Sequence, residues 1–220
     1  MLHNQNISVI QNNRINEWTN LGVRLLQDQD LIEKIRSEMI KLNSSQPYHN
    51  YHHMMAVALR ANQILLKTIP ESNTRDKMAR VLYLAASFHD IGHSAGTLTD
   101  KENISYAMRK IGIFWGSAVY HFTMSYISVP EIISAIECTE FPFVKEPVSL
   151  IDMCLRDADL MMALESDYQF FIDGLSVKLN ADITLEDTIE FLKQKTFYTY
   201  HGKELIENFI KDYQRKKDES

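Results

Sequence analysis

The amino-acid sequence predicts an all-α fold, a compact multi-helix bundle. Seven Gly and five Pro among 220 residues leave few chain-breakers. Apolar residues recur at the three-to-four spacing of a buried helix face. No stretch sustains the period-two alternation of a half-buried strand.

The elements follow in order. Residues 1–15 are polar and rich in Asn and Gln, which predicts a loosely held arm or a first short helix. Leu21, Leu25, Ile32, Ile35 and Met39 mark a helix or helix pair that stops near Asn43–Pro47. Val57, Ala61, Ile64 and Leu65 mark the next, ended by Pro70. Met78, Leu82, Ala85 and Ala86 mark a third, running toward His89. Thr99-Asp-Lys-Glu102 has the form of a capping box and should start a helix carrying Ile104, Ala107, Met108 and Ile111. An apolar stretch spans Trp115 to Ile127. Pro130 suits the first turn of a helix with Ile132, Ile133 and Ile136, and Pro147 could open one through Leu150, Cys154 and Met161. Further helices are expected around 167–179, 184–197 and 202–213, with a frayed end from Gln214.

Composition bounds the function. The length suits a single domain over 1–220, and the apolar fraction of 45% suits a globular core. A net charge of -6 argues against binding long nucleic acid, since an acidic surface repels phosphate backbones. A small phosphorylated substrate stays compatible, because a bound metal reverses the local field. Cys138 and Cys154 form no CxxC pair and read as buried, reduced thiols. No apolar run approaches the ~18 residues of a membrane span, and the opening MLHNQNISVI lacks a signal-peptide layout. The expectation is a soluble cytoplasmic protein; a homodimer is left open.

Five of the eight histidines fall in two clusters, Tyr48-His49-Asn50-Tyr51-His52-His53 and Phe88-His89-Asp90-Ile91-Gly92-His93. Imidazole and carboxylate together suit zinc, iron, manganese and similar ions. Adjacent His89 and Asp90 can reach one site only at a helix end, which Gly92 supplies. His49 and His53 are four apart and share a face on a helical turn, whereas His52 points elsewhere. His121 could be a further ligand or a pocket residue. Phe197-Tyr-Thr-Tyr-His201 is read as packing, or as a wall on which a base stacks. Lys193, Lys195, Lys203 and Lys211 read as a solvated face.

The order His53, His89-Asp90 and a later Asp in Arg156-Asp-Ala-Asp-Leu-Met-Met-Ala-Leu164 resembles the HD-domain superfamily of metal-dependent phosphohydrolases. The likeness covers roughly residues 45–165, with helices over 166–215 completing a pocket. Tyr-His-Asn-x-x-His at 48–53 and His-Asp-x-x-His at 89–93 are most similar to the cyclic-nucleotide phosphodiesterase branch. The resemblance implies one or two divalent ions (Mn, Fe, Mg or Zn) on His53, His89, Asp90 and Asp159, with Asp90 bridging. Asp157 competes with Asp159 for the last place and is otherwise expected to face solvent or pair with Arg156. The catalytic residues implied are Asp90 and His49, the latter protonating the leaving oxygen. His93 and His121 would contact substrate or phosphate, and Asp100 is a further acidic candidate. The likeness thins elsewhere: Met54-Met55-Ala56-Val57 follows His53 in place of Ala-x-Asp-Val, and no Asn stands at 96–98. The function implied is an enzyme that hydrolyses a nucleotide phosphodiester with hydroxide generated at the metal. The alternatives are a nucleotidase acting on a monoester and an HD-type di-iron oxygenase.

Overall fold

The computed structural model describes residues 2–94, 96–116 and 127–219. Among these the chain is all helical: α1 (Leu2–Leu26), α2 (Gln29–Asn43), α3 (Tyr51–Thr68), α4 (Asn73–Phe88), α5 (Asp100–Gly116), α6 (Val129–Glu137), α7 (Leu150–Asp159), α8 (Tyr168–Leu179), α9 (Leu185–Lys193) and α10 (Tyr200–Asp218), with a 3-10 turn at Met162–Leu164. No helix among the described residues is long and apolar enough to cross a membrane.

Helix starts follow local chemistry. The side chains of Asp28, Asn50, Ser72, Ser128, Ser149, Thr184 and Thr199 each accept a hydrogen bond from a backbone N–H in the first turn that follows. The expected box at Thr99 and Glu102 is formed in both directions. α8 is the exception. Its flanking Asp167 makes no capping bond because its carboxylate is held by Arg14 at 2.5 and 2.8 Å.

That pair explains a difference from the sequence reading. The amino-terminal segment is one continuous helix through Leu26, not a loose arm or a short helix. Buried Arg14 ties it to Asp167 and Glu165, and Trp18 stacks on Tyr83 while donating to Ser87 Oγ. At the other end α10 continues to Asp218, where fraying was expected, and Lys217 pairs with Glu186. α7 opens at Leu150 rather than Pro147, since Ser149 and Asp152 complete a capping box there.

α3 is the axis of the bundle. It is buried along nearly its whole length and packs against α4, α7 and α1, while α4 and α7 also touch each other. One hydrophobic core links these helices to the rest. Cys138 and Cys154 are buried, unpaired members of the interior.

Asp157 is a correction. It neither faces solvent nor pairs with Arg156. Its buried carboxylate accepts from Tyr198 N (2.9 Å), Thr199 N (2.8 Å) and Thr199 Oγ1 (2.7 Å), which pins the start of α10 to α7. Arg156 instead donates to the Cys138 and Lys145 carbonyls. Replacing Asp157 by Ala orphans three donors, so Asp157→Ala should lose about 2–4 kcal/mol. In urea unfolding the midpoint should fall with the slope unchanged.

Candidate metal centre

His53, His89, Asp90 and Asp159 come from α3, the end of α4 and the end of α7, the three helices that touch one another. Asn50 caps α3, accepting from the His53 N–H at 3.1 Å, and so fixes the first turn from which His53 projects. His89 and Asp90 lie just past the last residue of α4. There the chain turns through Gly92, with φ of +72° and a hydrogen where any Cβ would strike the Tyr106 ring. The turn lets two adjacent side chains face one point.

His53, His89 and Asp90 bring three donor atoms within 4.8 Å of one another, and Asp159 joins them through the two imidazoles. His53 Nε2 lies 3.1 Å from Asp159 Oδ1, 3.2 Å from Asp90 Oδ2 and 3.3 Å from His89 Nε2. His89 Nε2 lies 3.3 Å from Asp90 Oδ2 and 3.4 Å from Asp159 Oδ1. Metal–donor bonds of ~2.1 Å place neighbouring donors ~3.0 Å apart in an octahedron and ~3.4 Å apart in a tetrahedron. All five separations fall in that window.

The protonation states point the same way. His89 Nδ1 lies 2.7 Å from the Ala86 carbonyl, which can only accept. The proton therefore sits on Nδ1, and a neutral His89 turns its Nε2 lone pair to the cluster. Asp90 Oδ2 is buried and makes no well-formed hydrogen bond, despite two imidazoles near it. Burial pushes His53 toward the neutral ring, but Asp159 and Asp90 outweigh it and raise its pKa. For His89 burial again opposes, and Asp90 with Asp159 raises it well above the usual value. Burial also opposes ionisation of Asp90, yet the neighbouring His49 and His89 hold its pKa well below the carboxylate range. Without an ion, one proton on His53 can serve only part of the cluster. Two imidazoliums with nitrogens 3.3 Å apart repel, and two neutral rings leave lone pairs and carboxylates face to face. A divalent cation meets every one of these demands, so the residues fit a metal.

Asn43 and Lys178 escaped the sequence reading. Buried Asn43, at the end of α2, donates to the His49 carbonyl (2.7 Å) and the Asp90 carbonyl (2.8 Å), and accepts from Gly92 N (2.8 Å). It binds both motif segments to each other. Lys178, on α8, places Nζ 3.3 Å from His49 Nε2. Gly174 explains why: a Cβ there would lie 2.2 Å from the Pro47 carbonyl oxygen. α8 thus rides against residues 47–48, and Lys178, one turn on, reaches over Tyr48 and His49.

The remaining candidates divide. His49 sits in the turn before the Asn50 cap rather than on a helical turn with His53, although the two rings lie 5.8 Å apart. Its Nε2 is 3.9 Å from Asp90 Oδ2, and its ring lies 3.6 Å from that of His93. Burial above all keeps His49 well below its usual pKa against the pull of Asp90, with His93, Lys178 and His53 acting in the same direction as burial. His49, Asp90 and His93 form a second set of donors within 4.8 Å of one another that shares Asp90 with the first. His93 Nε2 also meets Asn103 Nδ2 at 3.2 Å and Asp100 Oδ1 at 3.5 Å. An amide thus stands beside this pocket although none occurs at 96–98. His52 packs on Phe170, away from the cluster. His121 lies outside the described residues.

Of the two readings of 197–201, packing holds for Phe197, and the group is not the wall of the cavity. Phe197 is core and Tyr200 is exposed. The cavity beside the cluster is lined instead by Phe141, Phe143 and Phe191. Lys195, read as part of a solvated face, lies over the rings of Phe191 and Phe141. Comparison with protein-family models, curated proteins and solved structures finds no match for this chain.

Chelator-treated protein titrated with Mn²⁺ or Zn²⁺ in a calorimeter should bind at least one equivalent tightly. His89→Ala and Asp90→Ala should abolish that binding. Asn43→Ala should weaken it about 10- to 100-fold by loosening the two motif segments.

Proposed function

We propose that this chain is a metal-dependent phosphohydrolase that cleaves a small phosphodiester, a nucleotide diester being the class the resemblance implies. The observation that carries the reading is the convergence of His53, His89, Asp90 and Asp159 at ligand-to-ligand spacing. A divalent ion held there by these residues would lower the pKa of a bound water toward neutrality and would stabilise charge on the phosphoryl group. His49 and His93 stand on the other side of Asp90, and this reading keeps His49 for proton transfer.

The chain's own residues supply the rest. His49, packed on His93 beside Asp90, stands where a leaving oxygen would need a proton. Its ring is neutral and accepts from Lys178 in the structure, so the acid role requires it to gain a proton as the phosphate arrives. Lys178 offers an ammonium to a phosphate oxygen. Tyr48, edge-on to His49 with ring centroids 4.9 Å apart, closes one side of the mouth. The unpaired buried thiols suit the reducing cytoplasm, where we place the enzyme.

The test is His49→Ala with two diesters. The variant should keep its ion. It should slow cleavage about 100-fold when the leaving group is an alkoxide and less than tenfold when it is 4-nitrophenolate, which needs little protonation. Equal slowing of both would remove the acid role, and loss of the ion would make His49 a ligand. Turnover that survives Asp90→Ala would end the hydrolase reading.

A further inference from the structure

The centre opens into a cavity of about 320 Å³ whose lining is chemically one-sided. Phe141 and Phe143 come from the loop between α6 and α7, Leu175 from α8, Ile183 from the α8–α9 turn, and Phe191 and Leu192 from α9. The wall is braced from behind. The Arg156 guanidinium lies 3.7 Å from the centre of the Phe143 ring while donating to the Cys138 and Lys145 carbonyls of that loop. Asp100 accepts from Phe141 N. Phe141 packs directly on Phe191, ring centroids 5.9 Å apart, so the two form one continuous aromatic face of the cavity.

No Asn, Gln or Arg side chain is among the described lining residues. The two threonine hydroxyls already donate to backbone carbonyls. Thr139 Oγ1 donates to the Ile136 carbonyl at 2.8 Å and Thr188 Oγ1 to the Thr184 carbonyl at 3.0 Å. Asp187 accepts from the Thr184 N–H and hydroxyl. Tyr48 stays at the metal end, packed on His49 and His53. Lys178 is the one cation among the described lining residues. Telling one nucleobase from another takes hydrogen-bonding groups aimed at its edge; among the described lining residues the wall is mainly aliphatic and aromatic, and its carboxylates, Asp100 and Asp187, already accept hydrogen bonds from the chain.

From this we infer that the site takes a phosphate ester whose organic group is apolar, alkyl or aryl, seated against the face formed by Phe141, Phe143 and Phe191 with its phosphate between the His/Asp cluster and Lys178. The inference rests on the hydrolase reading for the phosphate and on the cavity for the organic group. It departs from the nucleotide that the sequence resemblance implies.

The experiment uses stable phosphonates, so that binding is read apart from turnover. Metal-loaded protein is titrated with methyl-, butyl- and hexylphosphonate and with thymidine 5′-monophosphate, and hydrolysis of hexyl 4-nitrophenyl phosphate is followed in parallel. A fully buried methylene tightens binding up to about fourfold, so hexylphosphonate should bind at least about tenfold tighter than methylphosphonate and tighter than the nucleotide. Phe191→Ala should flatten the alkyl series, whereas Lys178→Met should weaken every member by a similar factor. A flat series in the unaltered protein, no binding of any phosphonate, or a preference for the nucleotide over hexylphosphonate overturns the inference. An alkyl trend without hydrolysis would leave the apolar pocket standing and remove the hydrolase reading. Hydrolysis with a flat series would do the reverse.

Discussion

Four lone-pair donors facing one buried point form the constraint on which the rest depends. Taking His53, His89, Asp90 and Asp159 out of water costs several kcal/mol for each charged group unless something repays it. The two imidazole nitrogens lie 3.3 Å apart and each lies 3.1–3.4 Å from both carboxylates, which makes the cost worse when no ion is bound. A cation held among them would turn these liabilities into bonds, and its binding energy would become folding energy for the helices that carry them. Those helices are α3, α4 and α7, which are in mutual contact. The centre of the bundle and the His/Asp cluster are therefore one structural problem.

Precision comes from groups that touch no ligand position themselves. Asn43 binds the carbonyls of His49 and Asp90 together, so the two motif segments cannot drift apart independently. Asp157 fixes α10 to the back of α7, while Asp159, two residues on, turns to the opposite side and joins the cluster. Gly174 permits the close approach of α8 that brings Lys178 over His49. Each device is a backbone contact, and each sets an angle rather than supplying chemistry.

Much of the fold was legible in the sequence because helix periodicity and capping are local. The box at Thr99 and Glu102 and the start near Pro130 could be read from a few neighbours. The extent of α1 could not, since it depends on Arg14 meeting Asp167 across 153 residues of chain. The site divides in the same way. His53, His89 and Asp90 announce themselves by density of ligating residues in short motifs. Asp157 and Asp159 are alike in sequence, and only the turn of α7 separates a tether from a cluster member. Asn43 read as a helix stop, and Lys178 as nothing, because their roles arise from tertiary approach. The dense aromatic group at 197–201 drew attention, whereas the cavity wall came from Phe141, Phe143 and Phe191, scattered over two elements.

The central claim is that His53, His89, Asp90 and Asp159 hold a divalent ion, and anomalous diffraction from a manganese- or zinc-loaded crystal tests it most directly. Data collected on either side of the metal's absorption edge should show a peak ~2.0–2.3 Å from His53 Nε2, His89 Nε2, Asp90 Oδ2 and Asp159 Oδ1. A loaded crystal with no anomalous peak among those four atoms, or with its ions only at surface carboxylates, would contradict the account.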